Sequence, residues 1–269
     1  MALDWSDTVT LSPRIRPAAV AGYFYPGEAT ELARELDLML SAEAAPLPRP
    51  PRALIVPHAG YLYSGAIAAK AYRTLADHPY RRVFLLGPAH TRPVEGIARP
   101  DWSHYATPLG QLALDSDALS ALDANPWVSL DNLAHAKEHC LEVQLPFIQS
   151  TLADCPLVPL VVGDIPADAL ADLLAQHLAK QDLLIISTDL SHFLTLEQAS
   201  DKDRHTVERI LHFAQDLHGE DACGAAPLNG ALRWAKAQKL SIQLLAKGSS
   251  AEANGDTDRV VGYAAFALC

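Results

Sequence analysis

The chain has 269 residues, of which 49% are hydrophobic and 20% charged, a composition typical of a soluble globular protein with one large or two modest domains. Its formal net charge of −11 repels phosphate backbones and anionic lipid surfaces, so nucleic acid and membranes are poor partners. No apolar run reaches the ~20 residues of a membrane span, and the first residues lack the pattern of a signal peptide. We therefore expect a cytoplasmic protein.

Apolar runs and amphipathic segments alternate along the chain. Residues 1–27 mix aromatic and turn-forming residues, which indicates an ordered arm packed on the domain. Apolar runs predict strands over 53–56, 83–87, 157–162 and 183–187, followed by an antiparallel pair over 241–248 and 259–268. Helical periodicity and composition predict helices over 28–42, 64–75, 116–124, 166–180 and 197–215, and another that ends near 238. Residues 92–112 show no clear period and are expected to form a surface excursion beside a cleft.

This alternation predicts the fold class. Strands separated by helices favour an α/β protein with a mostly parallel central sheet that is covered by helices on both faces. Right-handed crossovers then place the carboxyl ends of the parallel strands along one edge, where ligands bind in open α/β sheets. The chain shows no internal repeat and no linker, so we predict a single domain over 1–269.

Ionisable residues follow three of the predicted strands. His58 follows the first strand, His90 the second, and Asp189 and His192 the strand over 183–187. A single histidine at such a position is usually a helix cap or a partner of a loop carbonyl. Two imidazoles that converge from neighbouring loops suit a divalent metal, because neutral imidazole is the commonest nitrogen ligand.

Cys223 is the candidate third ligand, because it precedes a predicted helix whose free amides are expected to lower the pKa of the thiol. The alternative is a buried structural cysteine, the role expected of the other three thiols. These four cysteines form no CxxC pair and are expected to be free: Cys140, Cys155, Cys223 and Cys269.

More than one role is open for the other ionisable groups. Asp189 can orient the imidazole of His192 as a general base beside the metal, or cap a turn. Glu138, His139, Glu142 and Tyr61 are expected to support the same cleft from behind the ligands, although the acidic residues can instead complement a helix dipole. A metal-free Cys–His nucleophile pair of Cys223 with His58 or His192 is a further alternative. Seven other histidines are predicted to be surface or packing residues, with His135 in a solvated loop: His78, His104, His135, His177, His205, His212 and His218.

Several motifs, taken together and in order over nearly the whole chain, resemble the Memo family, which in prokaryotes is the AmmeMemoRadiSam system protein B. They are residues 16–26, His58-Ala-Gly-Tyr61, Gly87-Pro-Ala-His90, Glu138-His-Cys-Leu-Glu-Val-Gln-Leu-Pro146, Ser187-Thr-Asp-Leu-Ser-His192 and Cys223-Gly-x-x-Pro227. That family is similar in fold to the class III extradiol dioxygenases, whose iron is held by two histidines and a carboxylate.

The resemblance implies a metal held by His58, His90 and Cys223, with Asp189 beside it and His192 at the place of the dioxygenases' catalytic base. Fe(II) is the expected metal, with copper or zinc as alternatives, because a thiolate in place of a carboxylate makes a softer site. The expected activity is redox or dioxygenase-like chemistry on a small molecule or peptide. Radical-SAM and AMMECR1-like proteins of the same system are the partners that the family name implies.

Two alternatives to a metal-dependent oxidoreductase stay open. One is a non-catalytic binding module whose cleft, ringed by Tyr61, Trp102 and Tyr105, captures a peptide or an aromatic ligand. The other is a metal-free Cys–His hydrolase built on Cys223.

Overall fold

The structure is a computed structural model that describes residues 14–75, 78–152 and 154–269. The first half of the predicted arm, residues 1–13, therefore lies outside the described residues. Over residues 14–27 the chain packs on the domain, and the side chains of Arg16 and Tyr25 are buried.

The order of elements alternates as the apolar pattern predicts. The strands are β1 (Ile15–Arg16), β2 (Ala53–Val56), β3 (Val83–Pro88), β4 (Ile97–Arg99), β5 (His104–Thr107), β6 (Gly110–Ala113), β7 (Val128–Leu130), β8 (Leu157–Val162), β9 (Leu183–Ser187), β10 (His192–Leu194), β11 (Ile242–Ser249) and β12 (Val260–Leu268). The α-helices are α1 (Ala29–Leu40), α2 (Tyr61–Tyr72), α3 (Ser116–Ala121), α4 (Asn132–Ala136), α5 (His139–Glu142), α6 (Leu145–Thr151), α7 (Ala167–His177), α8 (Leu196–Leu211), α9 (Ala225–Ala237) and α10 (Ala251–Asn254). Two 3₁₀ turns follow α2 and α3, at Arg73–Leu75 and Leu122–Ala124.

A nine-stranded sheet forms the centre of the fold. Its order is β10-β12-β2-β9-β3-β8-β4-β7, and β11 pairs with β12. The four central strands β2, β9, β3 and β8 are parallel and buried along their whole length. Strands that are buried on both faces read as continuous apolar runs, which is why the sequence reveals them clearly.

The predicted α/β class, with a large central sheet flanked by helices, is confirmed, and its central strands are parallel as expected. The outer strands add antiparallel pairs, because β12 runs antiparallel to β2 and β4 runs antiparallel to β8. The predicted closing pair does form, as β11 and β12, and β12 lies between β2 on one side and β10 and β11 on the other. The stretch 92–112 is not an irregular excursion: it holds β4, β5 and β6, of which β4 joins the main sheet and the other two join β1 in a small three-stranded sheet. These strands have only three or four residues, too few for a period to be visible.

Two close approaches position the loops at the carboxyl edge of the sheet. A Cβ at Gly87, in β3, would lie 2.5 Å from the sulfur of Cys140, so glycine lets α5 pack directly on this strand. A Cβ at Gly224 would lie 2.7 Å from the side chain of Thr188, so the start of α9 touches the loop after β9. Both contacts bring ionisable residues of distant segments together at the edge of the sheet.

Within the residues that the structure describes, no helix combines the length and apolarity that a bilayer crossing requires.

Candidate metal centre

Three adjacent parallel strands carry the predicted residues to one place. His58 follows β2, Asp189 follows β9 and His90 follows β3, and β9 lies between the other two strands in the sheet. The crossover rule predicted this convergence, and the side chains meet as expected. Ring centroids of His58 and His90 lie 5.1 Å apart.

A third imidazole joins them. His139, the first residue of α5, places its ring centroid 5.4 Å from that of His58 and 4.7 Å from that of His90. One ring nitrogen from each of the three histidines lies within 4.8 Å of the other two. The sequence predicts His139 behind the ligands, whereas its ring lies directly beside those of His58 and His90.

Cys223 lies beside the same group, next to His58. Its sulfur is 3.2 Å from Nε2 of His58 and accepts a hydrogen bond from the backbone N–H of Asp189 at 3.3 Å. Among the described residues, two groups have all their ligand atoms within 4.8 Å of one another, the three histidines and the set of His90, Glu138 and Cys140, and neither contains Cys223. Cys223 is therefore adjacent to one face of the cluster.

Hydrogen bonds fix the tautomer of His58. The hydroxyl of Ser187 donates to the carbonyl of Cys140 at 2.6 Å and accepts from the amide of Gln144 at 2.9 Å. Because its only proton is used, Ser187 can serve Nδ1 of His58, at 3.1 Å, only as an acceptor. Nδ1 of His58 therefore carries the proton, and Nε2 presents a lone pair towards the cluster.

Glu138 fixes His90 in the same way. Its carboxylate accepts from Nδ1 of His90 at 2.9 Å and from the backbone N–H of His90 at 2.7 Å. Although burial opposes ionisation, these bonds and the charge of His90 hold the pKa of Glu138 at about 2. A carboxylate that orients an imidazole by its remote nitrogen is the usual support of a metal-binding histidine.

The environment keeps the imidazoles of His58 and His139 neutral. Burial, followed by the neighbouring charge of His90, lowers the pKa of His58 to about 3. Burial, followed by the charges of His58 and His90, lowers the pKa of His139 to about 4. Neutral imidazole is the form that binds a metal, so His58 and His139 are ready to ligate at neutral pH.

The pKa of Cys223 contradicts the prediction. We expected the amides at the start of α9 to lower it, but burial and the nearby charge of Asp189 raise the pKa of Cys223 to about 12. Burial depends on how deeply the loop packs, which the sequence does not reveal. In the protein without metal, Cys223 is therefore a thiol that donates to His58, and not the thiolate of an activated nucleophile. This disfavours the hydrolase alternative.

Asp189 and His192 both line the cleft. The predicted hydrogen bond between them is not formed. Oδ1 of Asp189 accepts from the backbone N–H of His58 at 2.7 Å, and Oδ2 lies 3.9 Å from Nε2 of the same residue. His192, at the start of β10, lines the same cleft with its side chain partly exposed.

Glu142 and Tyr61 serve the fold rather than the cleft, which corrects their predicted place behind the ligands. Glu142 is fully buried and pairs with Arg16 at 2.6 Å, and it also accepts from Tyr25 and from the backbone of the arm. The hydroxyl of Tyr61 donates to the carbonyl of Val143.

The aromatic wall of the cleft also differs from the prediction. The cleft has a volume of about 480 Å³, and its aromatic residues are Phe24, Tyr63 and Tyr263, not Tyr61, Trp102 and Tyr105. Phe24 comes from the arm and lies 4.8 Å, centroid to centroid, from His139. Tyr105 is buried elsewhere and donates to His135 at 2.8 Å, so His135 is a core residue and not a solvated loop residue.

Sequence reasoning missed Ser187, Gln144 and Phe24. A serine at the last position of an otherwise apolar strand was a usable signal for Ser187. Gln144 and Phe24 gave no comparable signal, because their positions depend on how α6 and the arm dock.

Comparison with known proteins identifies the family. The family model of Memo-like protein matches residues 16–267. A MEMO1 family protein of Methanopyrus kandleri is 33% identical over 93% of this chain and 98% of its own, and one of Aquifex aeolicus is 33% identical over 93% and 97%. One of Methanosarcina mazei is 34% identical over 94% and 98%. The chain belongs to the Memo family.

The fold is also found in a solved structure. The crystal structure of an uncharacterized protein from Escherichia coli K12 matches with a TM-score of 0.51, at 15% identity, over 81% of this chain and all of that one. At this identity the likeness concerns the fold alone.

Proposed function

We propose that this protein binds a divalent transition metal through His58, His90 and Cys223, and that it carries out redox chemistry on a small organic molecule in the cleft. The observation that carries the proposal is the convergence of three imidazole nitrogens within 4.8 Å, with the sulfur of Cys223 3.2 Å from one of those rings. Two of the imidazoles have their outer nitrogens held by Ser187 and Glu138, so their inner nitrogens are available as ligands.

The donor set fits a first-row metal. Neutral imidazoles and one thiol suit iron, copper and zinc, whereas they are poor ligands for magnesium or calcium. Among the three, Fe(II) is our proposal, and when bound it would supply redox chemistry. The thiol of Cys223 must lose its proton on binding, so metal affinity is expected to rise with pH.

His139 is the competing third ligand. Its ring belongs to the closest cluster, and Glu138 lies 3.3 Å from its Nδ1. Cys223 is proposed in its place because a thiolate balances the metal's charge, which a third neutral imidazole does not.

The chain's own residues would then divide the remaining work. His192, partly exposed in the cleft, is placed to accept or donate a proton at the substrate. Asp189 holds the loop of His58 through the backbone N–H. Phe24 and Tyr263 provide an apolar wall that limits water around the substrate.

The test is elemental analysis of protein purified without oxygen, before and after Fe(II) loading. About one metal per chain is expected, with loss in His58→Ala and in His90→Ala. His205→Ala, an exposed histidine on α8, is the matched control and should keep the metal. No metal under any loading condition would overturn the proposal.

A binding module without turnover is the second candidate, and the aromatic wall supports it. Phe24, Tyr63 and Tyr263 offer ring faces to a flat ligand whether or not a metal is present. Metal-loaded protein that binds aromatic ligands, yet consumes no oxygen and converts no member of a substrate panel, would favour this candidate over the oxidoreductase.

A further inference from the structure

One arginine at the candidate metal centre has no acidic partner. Arg259 is exposed and lines the cleft that contains the three histidines. Over the described ranges 14–75, 78–152 and 154–269, its guanidinium forms neither an ion pair nor a hydrogen bond, whereas Arg204 and Arg209 on α8 pair with carboxylates. In a chain with a net charge of −11, a cation left without a carboxylate at a cleft is available to a ligand.

The guanidinium is held by an aromatic ring. It lies over the ring of Phe193, with 4.9 Å between its central carbon and the ring centroid. The contact with the ring leaves the N–H groups of the guanidinium free, and these groups can bind a carboxylate with two hydrogen bonds.

The backbone of Phe193 is strained in the conformation that places its ring against Arg259. Its φ is 59°, in the left-handed region that bulky residues rarely adopt. The register between β10 and β12 shifts at this point, because His192 pairs with Val261 and Leu194 with Val260, so Phe193 bulges out of the ladder. Bulges of this kind re-aim side chains next to functional sites. The ring that results is 61% exposed, although it is large and apolar.

The same cleft is also lined by three aromatic residues. They are Phe24, Tyr63 and Tyr263, and the volume of the cleft, about 480 Å³, is that of a small-molecule site. A ligand that contacts both Arg259 and these rings has a flat apolar body and one anionic group.

We propose that Arg259, stacked on Phe193, selects small aromatic carboxylates for this cleft. The inference rests on the proposed function for the location of the site, but the recognition of the carboxylate is independent of the metal. Arg259 thus acts as a specificity-determining residue.

A carboxylate fits better than a phosphate ester. A phosphate monoester carries about 1.5 to 2 negative charges at neutral pH and is usually bound by clusters of arginines. Here a single guanidinium faces a protein with a large negative charge, so a singly charged anion is the better match.

The test is calorimetric titration of the full chain with three probes of one shape: 2-naphthoate, its neutral amide 2-naphthamide, and 2-naphthyl phosphate. None carries the paired hydroxyls that chelate metals. Each titration is run on protein as purified and on protein treated with chelator. Wild type is expected to bind 2-naphthoate at least about tenfold more tightly than the amide in both forms, because the amide cannot form the charged pair.

Three variants decide the role of the arginine. Arg259→Gln should remove the preference for the carboxylate and leave binding of the amide unchanged. Phe193→Ala should reduce the preference about threefold, because the guanidinium loses its support. Arg233→Gln removes the same charge from an exposed site on α9, where Arg233 bonds Gln215, and should keep the full preference.

The opposite results are equally clear. Equal binding of naphthoate and naphthamide by wild type, or a preference that persists in Arg259→Gln, overturns the proposal. Tighter binding of the phosphate than of the carboxylate overturns the carboxylate assignment. A preference that disappears with the chelator shows that the metal, not Arg259, recognises the anion. Absence of metal from the purified protein would instead count against the proposed function and leave the role of Arg259 intact.

Discussion

The sulfur of Cys223 lies 3.2 Å from Nε2 of His58, the ring nitrogen of that histidine that carries no proton. In the metal-free protein the thiol is protonated, because its pKa is about 12, and it donates to this nitrogen. A metal that binds both atoms replaces that proton, so the S–H···N contact occupies the place where a ligand pair would form.

Substitution of Cys223 and of His139, the two competing third ligands, should therefore change the absorption spectrum of the metal-loaded protein in different ways. Cys223→Ser is expected to remove the sulfur-to-metal charge-transfer absorption of Co(II)- or Cu(II)-loaded protein, since a hydroxyl is a poor ligand for either ion. His139→Gln is expected to keep that absorption. The opposite result, with the spectrum unchanged in Cys223→Ser and metal lost in His139→Gln, would make His139 the third ligand.

Ser187 should affect the metal without touching it. Ser187→Ala removes the acceptor of the Nδ1 proton of His58, and loss of such an outer partner typically costs 10–100-fold in metal affinity. Competition with a chelator of known affinity measures the change. Ser191→Ala is the matched control: this serine is also buried near the cleft, but its hydroxyl has no partner among the described residues. An equal loss in both variants would show a general disturbance of the loop rather than an effect on His58.

The sequence predicts the parts of this site that obey periodicity and topology. Apolar runs reveal β2, β3 and β9, and the crossover rule brings His58, His90 and Asp189 to one edge without further information. The sequence identifies His139 as a site residue but does not predict that its ring lies beside those of His58 and His90. A four-residue helix such as α5 has no period from which its inner face can be inferred.

The features that the sequence does not predict depend on contacts between segments that are far apart in the chain. Glu142 contacts Arg16 across 126 residues of chain, so nothing near either residue signals the pair. The pKa of Cys223 follows from burial under the loop after β9, and local helix chemistry alone gives the opposite sign. His135 looked solvated in a polar stretch and is buried, because β5 places Tyr105 against it.

The buried pair of Arg16 and Glu142 should dominate the attachment of the arm. Glu142→Gln leaves the Arg16 charge buried without compensation, which is expected to lower the free energy of unfolding by about 3–5 kcal/mol. Asp201→Asn, which breaks an exposed pair with Arg204, should cost no more than about 1 kcal/mol. Urea unfolding measures both values.

Metal content separates this structural role from a role in the site. Glu142→Gln is expected to keep the metal content of wild type under conditions in which it is folded, because Glu142 bonds the arm and not the histidines. If the variant loses metal while its stability is unchanged, Glu142 supports the metal ligands as the sequence predicts.

Acid should weaken the fold partly through His135. Its Nε2–H donates to the carbonyl of Ala98 at 2.9 Å and its Nδ1 accepts from Tyr105, so the neutral ring is fully bonded. Burial lowers the pKa of His135 from 6.5 to about 4; the nearby charge of Arg16 lowers it further, and the Ala98 bond, Asp131 and Glu138 oppose the change. Between these two pH values the unfolded chain takes up a proton that the folded chain does not, so the stability from the neutral ring is lost as pH falls from about 6.5 to about 4. The loss amounts to about 3 kcal/mol over that range, from about 1.4 kcal/mol for each pH unit.

The variant His135→Gln isolates this contribution. It should be less stable than wild type at pH 7. Between pH 6.5 and 4, however, its free energy of unfolding should fall less steeply than that of wild type, and the two slopes should differ by about 1.4 kcal/mol for each pH unit. Urea unfolding of chelator-treated protein at a series of pH values measures the slopes, and His205→Gln on the surface of α8 should retain the wild-type slope. Because His58 and His139 also have lowered pKa values, a residual slope of the same sign is expected in every variant. If the slope of His135→Gln equals that of wild type, His135 is protonated in the folded state over this range, and its two hydrogen bonds do not hold the ring neutral.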